Sequence, residues 1–270
     1  MSLQLGIPGL RLRPLLAACA LVAASGVQAA LTPPAGGGVA DYGNGGNLFE
    51  VQPFLYVQGL GGANIPESVV VLNPLLSYTS SDAGWGSSLL TFDYRVHNSS
   101  TTQSFHDLRF MVFANPDGGP NPFLDTISES WGPDAAGEPV MREVREFSFN
   151  PNTTIVGRFL VNNNLSEGVA AIDAGCMGAA GCDATAGLQW NAANLGPGQT
   201  FRVLVGMSDD GQSLSKRWID AKAVDSPNTS LRISGLSSII PVPEPATYAM
   251  LLAGLAVVGA IGTRQRRRSS

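Results

Sequence analysis

The sequence predicts an all-β fold, an antiparallel β-sandwich or jelly roll, placed between two apolar terminal segments. Three observations carry that prediction. Apolar residues alternate with period two in short runs along residues 48–240, and clusters of Gly, Pro, Asn and Asp separate the runs. No stretch between the termini sustains a long helical period, which argues against a βαβ architecture. With 32 glycines and 18 prolines the chain is well supplied with the turns that many short strands need.

The elements follow in order. Arg11 and Arg13 precede an apolar run over 14–22, and small residues then lead to Val27-Gln28-Ala29. That succession predicts an N-terminal signal helix, with cleavage between Ala29 and Ala30. The apolar run is about half the roughly 20 residues that a membrane span requires. Residues 30–47 are rich in Gly, Pro and Ala without apolar periodicity, and read as a flexible entry segment, so the fold is expected to start near Leu48.

Within 48–240, Leu90, Phe92, Tyr94 and Val96 point one way while Thr91, Asp93 and Arg95 point the other, the signature of a half-buried strand. Leu108, Phe110 and Val112, and then Phe201, Val203, Val205 and Met207, repeat it. The same period is read in Phe147 and Phe149 and in Ile155, Phe159 and Val161. Further strands are expected at 49–58, 68–72, 218–224 and 230–236. Asn98-Ser99-Ser100, Asn115-Pro116-Asp117, Asn150-Pro151-Asn152, Gly196-Pro197-Gly198 and Asp209-Asp210-Gly211 mark turns. Two longer segments, 116–139 and 162–194, lack this character and are expected to be ordered loops, the places to look for a site.

The C-terminal segment, 241–270, holds Val242-Pro243-Glu244-Pro245, an apolar stretch to Gly262, and the basic cluster Arg264, Arg266, Arg267 and Arg268. About seventeen apolar residues predict a transmembrane helix. Basic residues after such a helix hold its end in the cytoplasm, so the domain before it lies across the membrane.

The formal charge of −5 hides an asymmetry. Six of the 16 basic residues belong to the terminal segments and one of the 21 acidic residues, Glu244, does too, so 30–240 carries about 10 basic against 20 acidic groups. Such a surface repels phosphates and excludes nucleic acid as a partner class. Cys19 lies in the leader. Cys176 and Cys182, with five residues between them in a Gly and Ala rich loop, are expected to pair as a disulfide in an oxidising compartment, since no further Cys or His stands nearby to complete a zinc site.

Candidates for chemistry are few. His97 and His106 close one strand and open the next, and a hairpin between them would bring them beside Asp107. Trp85, Trp131, Trp190 and Trp218 offer apolar ring faces to sugars; Trp131, in a Gly and Pro rich loop, is the strongest of these. With Asp117, Asp125 and Asp134, and with Glu129 and Glu138 close by, it defines a candidate ligand loop over 116–139. Oxygen-rich loops can take calcium, although no EF-hand spacing occurs, and no cofactor or other metal is expected. Paired carboxylates about 5–10 Å apart would suit glycoside hydrolysis, but no nucleophile elbow or other catalytic motif is assembled, so no enzymatic activity is expected.

The triplet Pro243-Glu244-Pro245, the single short apolar helix and the terminal Arg cluster resemble the PEP-CTERM sorting signal. The resemblance covers about the last thirty residues. It implies that the chain is a substrate of exosortase, a membrane protease-transpeptidase of bacteria that make exopolysaccharide, with Pro243 to Pro245 as the processing region. The partners so implied are a Sec-type translocase, exosortase and exopolysaccharide. The expected function is that of an exported, exosortase-processed surface or matrix protein that is not a catalyst; a carbohydrate-binding or carbohydrate-active sandwich, and a calcium-stabilised adhesin, are the alternatives.

Overall fold

A computed structural model describes residues 30–34, 38–42, 45–64, 73–118, 121, 124–150, 152–167, 171–226, 228–241, 253 and 255. The expected signal helix and the candidate strand at 68–72 lie outside them, as does the expected terminal transmembrane helix apart from the isolated residues 253 and 255. Among the described residues no helix is long and apolar enough to cross a membrane.

Twelve strands are found among the described residues: β1 Ala40–Tyr42, β2 Gly46–Val57, β3 Gly61–Asn64, β4 Leu76–Ala83, β5 Leu89–Asn98, β6 Phe105–Asp117, β7 Asp125–Ser130, β8 Met141–Glu146, β9 Ala184–Leu195, β10 Thr200–Ser208, β11 Trp218–Ala223 and β12 Ser230–Ile240. They form two antiparallel six-stranded sheets. The first runs β1-β2-β6-β9-β8, with β3 also pairing β2, and the second runs β4-β5-β10-β12-β11-β7. The all-β prediction therefore stands, and the arrangement is that of a sandwich.

The alternation written in the strands selects the core. Phe110 of β6 lies 5.5 Å from Tyr94 of β5 and 6.4 Å, edge to face, from Phe201 of β10, so aromatic rings from both sheets interlock. Leu90, Val96, Val203, Val205, Ile219 and Ile233 from one sheet meet Leu55, Val57, Leu108, Leu188 and Trp190 from the other, all buried. Trp190 needs room that a side chain would deny it: a Cβ at Gly235 of β12 would stand 2.7 Å from the indole and 2.6 Å from the Leu204 carbonyl. Glycine there lets the sheets close on the indole.

The first sheet is apolar on its outer face too. Phe54, Met111, Phe113 and Met141 point away from the sandwich and are covered by a helix, α1 Ile155–Asn162, through Ile155 and Phe159, with Leu165 beyond it. Thr154 caps it by accepting from the Gly157 amide at 3.0 Å, and Asn163 ends it in the left-handed conformation. Gly187 of β9 allows the close approach, since a Cβ there would meet Ile155 at 3.0 Å. The expectation of a strand at 155–161 is thus corrected. Residues 155 and 159 are four apart, which is helical spacing, and one face of the helix carries both onto Phe54 and Met111.

Other boundaries are corrected in the same way. Phe147 and Phe149 lie beyond the end of β8 and outside any strand. The two expected loops contain β7 and β9, and β9 is an interior strand between β6 and β8. The entry segment 30–47 supplies β1, the beginning of β2 and the buried Leu31, Ala40 and Tyr42, so pairing starts ahead of Leu48.

Cys176 and Cys182 are bonded, with their Cα atoms 4.8 Å apart, and the loop is tied to β7 by amides exchanged between Asp125 and Cys182 at 2.7 and 2.9 Å. A loop this short restricts the unfolded chain by about 2 kcal/mol. Converting both cysteines to serine is expected to lower the unfolding free energy by that amount, seen as a lower denaturant midpoint; an unchanged midpoint would show the bridge to be thermodynamically idle.

Candidate functional site

The residues expected to form one ligand loop are divided between two ends of β7. Asp117 closes β6 and Asp125 opens β7, and they sit close together: the Gly118 amide donates to Asp125 Oδ1 at 3.2 Å. Trp131 and Asp134 follow the far end of β7, six extended residues or about 20 Å away. They join a different set of partners. The guanidiniums of Arg142 and Arg217 lie 4.6 and 4.9 Å from the Trp131 ring centroid. Arg142 pairs with Glu129, and Arg217 pairs with the exposed Asp134 and donates to the carbonyls of Gly132 and Pro139. Guanidiniums therefore occupy the ring expected to stack on sugar, and the carboxylates of 116–139 do not converge on a groove.

The other tryptophans are equally engaged. Trp190 is in the core, Trp218 lies under Arg232 at 3.9 Å, and Trp85 donates to Asp82. His97 and His106 are in different sheets, because β5 and β6 are joined by a crossover and not by a hairpin. His97 Nδ1 meets the Thr200 hydroxyl at 3.0 Å, while Asp107 pairs with Arg109. Among the described residues no three His, Cys, Asp or Glu side chains are grouped so as to hold a metal ion.

Electrostatics single out the end of the sandwich where Asp117 and Asp125 meet. Asp125 is fully buried, and its Oδ2 has no hydrogen-bond partner. Burial first, then the charges of Asp117, Asp183 and Asp225, push its carboxyl up to about 7, against the amide of Gly118, which favours ionisation. Burial and Asp183 push Asp117 up to about 6. The Tyr42 hydroxyl, buried and unpartnered, is raised well above its ordinary range by burial and by the charges of Asp125, Asp117 and Asp220. At this end of the sandwich burial and mutual repulsion both favour the protonated carboxyl over the carboxylate.

A cavity of about 240 Å³ lies on the outer face of the first sheet, between α1 and the end of β8. Phe113, Val156 and Phe147 supply apolar surface, and Glu50, Glu146 and Ser148 supply polar atoms. The Phe147 amide donates to the Asp183 carbonyl at 2.6 Å, which fixes where the ring stands, and Phe149 packs edge-on against it at 5.0 Å. Sequence reasoning missed this site. Its one signal was the pair Phe147 and Phe149, which the period-two reading assigned to a strand and which the structure leaves exposed, the latter by 93%.

The fold and its surroundings thus define a class: a β-sandwich domain whose last strand, β12, ends at Ile240 where the C-terminal segment begins. That segment is matched, over residues 241–268, by the family of the PEP-CTERM protein-sorting motif. The chain carries this motif, and the motif indicates exosortase-dependent sorting to the cell surface. Pro243, Glu244, Pro245, Arg264, Arg266, Arg267 and Arg268 all fall within the match and outside the described residues; Ala29, on the near side of the expected cleavage point, also lies outside the described residues. No curated protein and no solved structure matches the chain significantly.

Proposed function

We propose that the chain crosses the inner membrane by Sec-type export, is tethered briefly by its C-terminal helix, and is then processed by an exosortase-type protease. The sandwich is delivered to an exopolysaccharide-rich surface or matrix layer, where it acts without catalysing a reaction. The observation that carries this reading is the sorting motif, matched from residue 241, directly after the last strand. Among the described residues of 116–139, Glu129 is paired with Arg142 and Asp134 with Arg217, which supports the non-catalytic part.

The test is the intact mass of the protein from a host that bears the protease, beside the same host lacking it. A mass beginning at Ala30 and ending near Pro243, lost in the deficient host, is expected. A mass that keeps Arg264 to Ser270 in both hosts would overturn processing and leave a permanently anchored protein.

A further inference from the structure

We propose that the cavity between α1 and the end of β8 is a binding site for one uncharged sugar ring of a polysaccharide, with Phe147 as its stacking face and Glu50 and Glu146 as acceptors for its hydroxyls. The proposal deepens the matrix reading by naming a ligand class, and it stands or falls separately, because sorting can succeed whether or not a sugar binds.

Size comes first. A volume of about 240 Å³ is below the roughly 300–1,000 Å³ typical of sites for drug-sized ligands. It suits a single ring, with the rest of a polymer lying outside. Shape and polarity follow. A pyranose has an apolar C–H face and a belt of hydroxyls, and it asks for an aromatic face beside hydrogen-bond acceptors. Phe147 is 37% exposed on one side of the cavity, where its backbone is held by Asp183 and its edge by Phe149. Ser148 is fixed by bonds with the Asn150 amide and the Thr153 hydroxyl, so the turn that carries Phe147 is set before a ligand arrives.

Charge decides which sugars are accepted. The ionisable groups lining the cavity are Glu50 and Glu146. Glu50 accepts from Gln52. Arg145 and Arg158 line an adjoining cavity that shares Glu146, Phe147 and Ser148 with this one, and there they are paired with Glu143 and Asp173. Carboxylates without a cation repel uronic acids and other anionic units. Burial raises the Glu50 carboxyl, consistent with a group that gains from hydroxyl donors in place of water.

The experiment uses the full chain in detergent micelles, titrated with neutral hexasaccharides of glucose, galactose and mannose, a hexamer of glucosamine, a polyuronate and hexalysine. At least one neutral hexasaccharide is expected to bind. Phe147→Ala and Glu146→Gln, both at exposed positions, are expected to weaken it tenfold and about fivefold, while Trp131→Phe leaves it unchanged. The polyuronate is expected to bind at least tenfold more weakly. Three results would each overturn the proposal: no neutral oligosaccharide binds, Phe147→Ala binds like the parent, or the glucosamine hexamer or hexalysine binds more than tenfold tighter than any neutral sugar.

Discussion

The domain is expected to lose stability as pH rises from about 4 to about 7, with Asp125 as the main cause. An unfolded aspartate titrates near 3.9, whereas the native carboxyl is pushed up to about 7 by burial and by its acidic neighbours. Between those values the native state holds a proton that the unfolded state has released. Unfolding therefore becomes easier as pH increases through the window, and the contribution is gone above about 7. Asp117, raised to about 6, and Asp183, also raised by burial, act in the same sense. Asp93 and Asp210 act oppositely. Both carboxyls are held below their ordinary range, against the upward pull of burial, by hydrogen bonds from Arg95 and Arg202 and from Ser208 and Gln212, and their contribution is lost as pH falls below about 4. Stability should peak in mild acid.

For Asp125 the difference between acid and neutral pH is on the order of 4 kcal/mol. Asp125→Asn keeps the Oδ1 acceptor for the Gly118 amide and cannot ionise, so it should flatten the pH profile and be more stable than the parent at pH 8, the two converging near pH 4. Thermal denaturation of both proteins across pH 4–8 makes the comparison. A parent more stable at pH 8 than at pH 5, or a variant with the same slope as the parent, would contradict the assignment.

Trp190→Ala should be the most damaging single change in the core, costing about 4 kcal/mol. The indole is fully buried between the sheets, against a glycine that is there to admit it, so neither sheet can close over the space left behind. For a domain of this size the loss corresponds to a fall of roughly 12 °C in melting temperature. Trp190→Phe, which keeps a ring and removes an indole Nε1 that has no hydrogen-bond partner, should cost about 1–2 kcal/mol. Equal losses from the two substitutions would mean that filling the gap opposite Gly235 is not what the tryptophan does.

Strands that line one face of the core were legible because their side chains obey a two-residue period. Residues 90–96 and 201–207 were found on that basis, and they pair directly as β5 and β10. β9 was not legible: Ala184 to Trp190 is buried on both faces, between the sandwich and α1, so its alternation is erased. β8 was hidden for a different reason. Its charged residues are satisfied across the fold, with fully buried Glu143 bonded to Arg145 and Ser166 and Arg142 to Glu129, and a charged hexapeptide reads as surface until those partners are placed.

By itself the sequence determined the fold class, the disulfide and the sorting motif at the C-terminus, because each depends on residues close together in the chain: a strand's period, two cysteines in one loop, and a triplet, an apolar run and an arginine cluster in succession. Only the tertiary structure decided which residues share a site. It separated Asp117 and Asp125 from Trp131 and Asp134 by the length of β7, placed guanidiniums against Trp131, and brought Glu50, Phe113, Glu146 and Val156 to one cavity. Those meetings come from strand pairings between residues tens of positions apart, such as Gln52 with Phe113 and Glu146 with Ala184, and such pairings are chosen by the burial of the whole sheet and not by any local pattern.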